Sequence, residues 1–179
     1  MTQFSPETCE TARPWRSNRL TEEQFLVFRL AGQLYGVSAL QIDSIERPAT
    51  LVAVPHTLNF IKGVVTVRNT VVPVVDLAER FELKTADRDL HFQRVVVVEM
   101  AQTHVGFLVD AAEDVVSLLQ TDILPAPAMV GGLQAVYLRG IATWQNEPLV
   151  LLNLDYILSE AEKRQLEAAH RVAEKEPSP

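Results

Sequence analysis

Ile61-Lys62-Gly63-Val64-Val65-Thr66-Val67-Arg68-Asn69-Thr70-Val71-Val72-Pro73-Val74-Val75-Asp76-Leu77 is the densest β signal in the chain. Valine dominates it, and β-branched side chains suit a pleated, half-buried surface. Asn69-Thr70 breaks the run, and Asn tolerates positive φ, so a tight hairpin turn is cheap there. The spacing predicts antiparallel strands over 63–68 and 71–76. Leu138 to Leu154 repeats the pattern without a gap, at an offset of 77 residues. Gly63 meets Gly140, Asn69 meets Asn146, Lys62 meets Arg139 and Asp76 meets Asn153. A second match sets Phe25–Ile45 against Val95–Val115 at an offset of 70, with Gly36 on Gly106. A long internal repeat decides architecture. The chain reads as two divergent copies of one small β unit.

The 179 residues are 47% hydrophobic, enough for one sizeable core. A net charge of −7 argues against nucleic acid, which asks for a basic face. Cys9 is the only cysteine, so no intrachain disulfide forms. The polar N-terminus lacks a signal-peptide core, and no run of about eighteen apolar residues exists. The expectation is a cytoplasmic protein without a membrane-inserted segment.

Residues 1–22 read as a mobile arm holding Trp15 and a thin basic cluster of Arg13, Arg16 and Arg19. The body is predicted over 23–172, with repeat halves at about 23–84 and 91–158, and 173–179 as a frayed tail. Gln24–Leu30 reads as the first strand and Leu34–Ile45 as a second extended segment, where Gly36 signals a bulge or bend. Pro55–Phe60 and Leu77–Phe81 are candidate helical turns, the latter capped by Asp76. Residues 85–90 read as the link between halves. Val95-Val96-Val97-Val98 is apolar on both faces, the mark of a strand buried on both sides. Val105–Leu119 repeats the second extended segment. Ser159-Glu160-Ala161-Glu162 is a capping box opening a helix to about Val172, with Ala161, Gln165, Ala168 and Val172 as a weak apolar stripe.

Catalytic patterns are missing. There is no phosphate loop, no G-x-G-x-x-G and no G-x-S-x-G. His56, His91, His104 and His170 have no ligand partner at metal spacing. Asp76 and Asp110 are the one carboxylate pair that a double-barrel hydrolase would use, but capping and turn formation account for both. A binding module is what remains, with no cofactor.

The residues in view resemble the CheW family, adaptors of bacterial chemosensory arrays. The likeness rests on Phe25-Leu26-Val27-Phe28, Tyr35-Gly36-Val37, Phe60-Ile61-Lys62-Gly63-Val64, Arg68, Val72–Leu77 and Pro125-Ala126-Pro127, in that order, and covers about Gln24 to Leu166. It implies a mostly β fold of two intertwined five-stranded SH3-like barrels with a C-terminal helix. It implies a non-catalytic scaffold for chemotaxis signal transduction, joining the cytoplasmic tip of a methyl-accepting chemoreceptor to the regulatory domain of the histidine kinase CheA. It also implies recruitment to membrane-associated receptor arrays. Carried over by position, Ile42, Ile45, Arg68, Ala112 and Val115 fall on the receptor-binding segments; no position is assigned to the kinase edge. Two departures stand out. The family's Leu-Arg-Gly is Val67-Arg68-Asn69 here, and Ser44 stands where the family carries a receptor-side glutamate, with Glu46 two positions on. Arg68 also has a plain reading, as a strand-end arginine paired with Asp76. Service in another chemosensory pathway, such as pilus motility or second-messenger control, stays open.

Overall fold

The computed structural model describes residues 21–48, 51–100, 103–130 and 132–175. Residues 1–20 of the predicted arm, with Trp15 and its arginines, and 176–179 of the tail lie outside the described residues; Glu22 already opens the first strand and 173–175 extend the last helix. Twelve strands and two α-helices follow in order: β1 (Glu22–Leu30), β2 (Gln33–Ser38), β3 (Ile42–Glu46), β4 (Ile61–Val67), β5 (Thr70–Asp76), α1 (Leu77–Arg80), β6 (Arg94–Met100), β7 (Thr103–Val109), β8 (Ala111–Leu119), β9 (Met129–Val130), β10 (Leu133–Gln134), β11 (Leu138–Trp144), β12 (Glu147–Leu152) and α2 (Glu160–Lys175). Two five-stranded sheets carry the fold, ordered β11-β12-β2-β1-β8 and β3-β6-β7-β5-β4. The first is called sheet I below and the second sheet II. The mostly β architecture and the C-terminal helix are as expected.

The repeat in sequence is not the partition in space. The first copy gives β1 and β2 to sheet I and β3, β4 and β5 to sheet II. The second copy gives β6 and β7 to sheet II and β8, β11 and β12 to sheet I, while β9 and β10 pair with each other. Parallel pairing seals the exchange: Leu151 lies opposite Gly36, and its repeat mate Val74 lies opposite Gly106. Gly36 therefore does a different job from the one expected. Its pairing with β1 runs without a shift. A Cβ there would come 2.8 Å from the Leu151 side chain, so glycine is needed for close approach rather than for a bend.

Alternation along the strands sorts the core into three parts. Phe25, Val27, Leu34, Leu149 and Leu151 fill sheet I's own interior. Val65, Val72, Val74, Val95 and Val97 fill that of sheet II. Leu26, Phe28, Val75, Val96, Val98 and Phe107 join a larger cluster shared between the sheets. The valine run thus feeds a separate core from each face, which is why it needs no polar alternation.

Both hairpins turn on two residues with positive φ. These are Arg68 (47°) with Asn69 (65°), and Gln145 (50°) with Asn146 (63°). Such a pair matches strand twist in a two-residue loop. The turn is thus Arg68-Asn69, one residue earlier than predicted. Pro55–Phe60 holds only turns, not a helix, and His56 sits there at φ 62°. Asp76 caps α1 as expected, accepting from the Ala78 and Glu79 amides. The capping box also forms, Ser159 N donating to Glu162 and Glu162 N to Ser159 Oγ. The predicted stripe on α2 is displaced, however. Leu166 and Ala169 are buried, while Ala161, Gln165, Ala168 and Val172 are exposed. Glu162 turns inward to pair with Arg80, and that sets the helix rotation.

Arg139 on β11 pairs with Glu23 on β1 and lies 5.2 Å over the Phe25 ring. The Arg139 hydrogen bond holds the Glu23 carboxyl below the usual carboxylate range, against the opposing pull of burial. A depressed carboxyl stabilises the fold above its unfolded value of about 4.3 and loses that contribution as pH falls through the folded one. Glu23→Gln is therefore expected to be less stable than wild type at pH 7, with the gap closing below about pH 4. Urea unfolding at several pH values measures this, and parallel curves would refute it.

Candidate functional site

The two bulged edge strands carry four of the five expected contact residues. Among the described residues, β3 pairs only with β6, and β8 only with β1. A strand of period two puts residues three apart on opposite faces. Each of these strands breaks that rule with a register shift. On β3 it lies between Ile42, opposite Val98, and Ser44, opposite Val97; Ile45 is then opposite Val96. On β8, Val115 is opposite Leu26 and Ala112 opposite Phe28, with the shift between them. Directly opposed residues share a face. Val96, Val98, Leu26 and Phe28 all belong to the shared cluster. Hence Ile42 and Ile45, and Ala112 and Val115, all point to the side on which the two sheets meet.

These stripes are apolar and only partly covered. Ile42 packs against the shared core. Ile45 is 41% exposed and Val115 50%. The neighbouring carboxylates fall elsewhere. Asp114 is opposite Val27, whose side chain enters sheet I's own interior. Glu113 bonds Arg29 at 2.8 Å, which raises the arginine's proton affinity. Apolar patches framed by polar residues are the kind of surface on which partners dock.

Arg68 belongs to a different part of the molecule from Ala112 and Val115. It sits in the β4–β5 turn of sheet II, exposed, and rims a cavity of about 80 Å³ with Asp43 and His104 over Val67, Val72 and Val97. Among the described residues it forms no ion pair. The expected Arg68–Asp76 pair is absent because Asp76 is already engaged. Arg88, from the link, reaches it with two nitrogens, one at 3.0 Å. Arg88 Nε also stands 3.1 Å from Asp110. Asp110 in turn accepts from the Ala31 amide at 2.8 Å.

The two aspartates therefore do meet, but around an arginine. Asp76 is 1% exposed and holds the start of α1. A hydrolytic pair needs one carboxyl free to take a proton and one facing water. Asp76 meets neither, and Asp110, though 22% exposed, is held by Arg88 and the Ala31 amide, so the hydrolase alternative gives way to a structural triad. Nothing in the sequence pointed to Arg88, because its partners lie 12 and 22 positions away on other elements. Among the described residues, no three His, Cys, Asp or Glu side chains gather as a metal site, and no helix is long and apolar enough to cross a membrane.

Comparison with known proteins places this geometry in a wider setting. The model of the CheW-like domain matches residues 24–162. A chemotaxis protein CheW from Klebsiella aerogenes is 32% identical over 140 residues, covering 78% of this chain and 84% of that one. Chemotaxis protein CheW of Bacillus subtilis is 30% identical, covering 77% and 88%. Protein FrzA of Myxococcus xanthus is 31% identical, covering 80% and 89%. The crystal structure of the scaffolding protein TtCheW from Thermoanaerobacter tengcongensis superposes with a TM-score of 0.72 at 25% identity, covering 79% of this chain and 91% of that one.

Proposed function

Since the chain belongs to the CheW-like family of chemotaxis adaptors, we propose that it joins a chemoreceptor's cytoplasmic tip to the regulatory domain of the kinase CheA, without catalysing a reaction itself. The receptor tip lies along the face flanked by β3 and β8, anchored on Ile42, Ile45, Ala112 and Val115. The observation that carries this is the matched pair of bulges, which turns two apolar residues per edge strand toward one face. A helical tip suits such a face, since a helix lays its apolar side along a groove and is read as spaced anchors. Recruitment to receptor arrays follows from the same contact.

Arg68 adds a charge at the sheet II end. It is exposed, and no described carboxylate neutralises it, so reversing its charge costs the fold little. Arg68→Glu is expected to melt like wild type and to abolish receptor control of kinase activity in a reconstituted array. Normal coupling by that variant would remove Arg68 from the site.

A further inference from the structure

The two apolar stripes are related by the repeat, so the face they flank has an approximate internal two-fold. A two-helix tip lying on it has two ways round, related by a half turn. The stripe residues alone separate these orientations weakly, since both pairs are apolar. The ends of the stripes differ far more. Each stripe begins two residues after the chain crosses from one sheet to the other, at Leu40 before Ile42 and at its repeat mate Asp110 before Ala112.

At the Asp110 crossing the mate of Leu40 is charged and paired, beside a cavity of about 390 Å³ that Phe92 also lines. The Asp110 carboxylate holds the Ala31 amide and Arg88, and Arg88 also holds Asp76. The Leu40 crossing is apolar and open. Leu40 is 89% exposed on a 3-10 turn, Ala39–Gln41. Beside it runs the 3-10 turn Leu154–Tyr156, linked through Gln41 Nε2 to Asp155 at 3.5 Å, with Tyr156 57% exposed. Asn153 stands at the place of Asp76, accepting from Asp155 N, and among the described residues no arginine pairs with it. The molecule thus ties one crossing to its own link by ion pairs and, among the described residues, forms none at the other, with a leucine where its mate is an aspartate.

Resting on the receptor reading above, we propose that Leu40 and Tyr156 fix which way round the tip lies. The arm of the hairpin that runs past Ile42 continues onto Leu40 and Tyr156 and buries them. The opposite orientation would leave both bare and press apolar residues on the Asp110–Arg88 ion pairs. Burying one such leucine is worth about tenfold in affinity or more.

The test uses the full chain and a soluble cytoplasmic fragment of a chemoreceptor from the same genome. Leu40→Asp is expected to fold normally, because the side chain is in solvent, and to bind about tenfold more weakly. A photoreactive phenylalanine analogue at position 40 is expected to link to one arm of the hairpin only. Wild-type affinity for Leu40→Asp, or equal linking to both arms, overturns the proposal. Ile45→Asp and Val115→Asp separate the two levels. If they weaken binding while Leu40→Asp does not, only the orientation proposal falls. If they too bind normally, the receptor face itself is wrong and the proposal falls with it.

Discussion

Arg88→Ala is expected to destabilise the protein by about 3–5 kcal/mol, because it strands carboxylates whose shared counter-charge it removes. Asp76 is 1% exposed and the Arg88 side chain 15%, so water replaces the lost guanidinium poorly. Hydrogen bonding to Asp76 raises the proton affinity of Arg88, so the arginine stays charged at every accessible pH. The residue also ties three distant pieces: the end of β5, the β7–β8 crossing and, through Asp110, the β1–β2 turn. At roughly 2–4 °C per kcal/mol for a chain of this size, the melting temperature falls by about 10 °C. Calorimetry at pH 7 decides it. A drop below about 1 kcal/mol at pH 7 would mean that the triad contributes no more than a surface pair.

Gly63→Ala is the second large effect. At φ 137° an L side chain is strained, and a Cβ would stand 2.2 Å from the Val52 carbonyl oxygen. That carbonyl cannot move freely, since Val52 and Val64 exchange both backbone hydrogen bonds across an isolated bridge. The loss is expected to be on the order of 4 kcal/mol, which lowers the melting temperature by roughly 10 °C. Gly132→Ala is the control. It also has positive φ, at 88°, but nothing lies within 4 Å of its Cβ. It should cost about 1 kcal/mol, from backbone strain alone. Circular dichroism melts of the two variants compare them directly; equal melting points would discredit the contact argument.

Much of this fold was legible because its signals are local or periodic. The valine run, the two positive-φ turns, the Asp76 cap and the Ser159 box each need only a few neighbouring residues. The repeat itself was legible by alignment. What it could not convey is which sheet each copy's strands enter, since alternation says that a face is buried and not against what. The α2 stripe went astray for a related reason. Counting alanines ignored that Glu162 had an arginine waiting on another element. At the candidate site, the positions were found by family likeness, but their common direction was not. Ile42 and Ile45 are three apart, a spacing that reads as opposite faces until the bulge is seen. Leu40 gave no signal beyond an apolar letter in an apolar stretch, and its exposure is a property of the crossing.

The strand exchange also sets a timetable for synthesis. Leu34 leaves the ribosome 115 residues before Leu149, the neighbour against which it pairs in parallel. At about 5–20 residues per second, β2 waits many seconds with one edge bare. Neither sheet can be finished from the first copy alone, so the nascent chain has no early resting point. Such long-range closure makes folding slow, and it makes the freshly made first half a client for whatever in the cell shields unpaired strands.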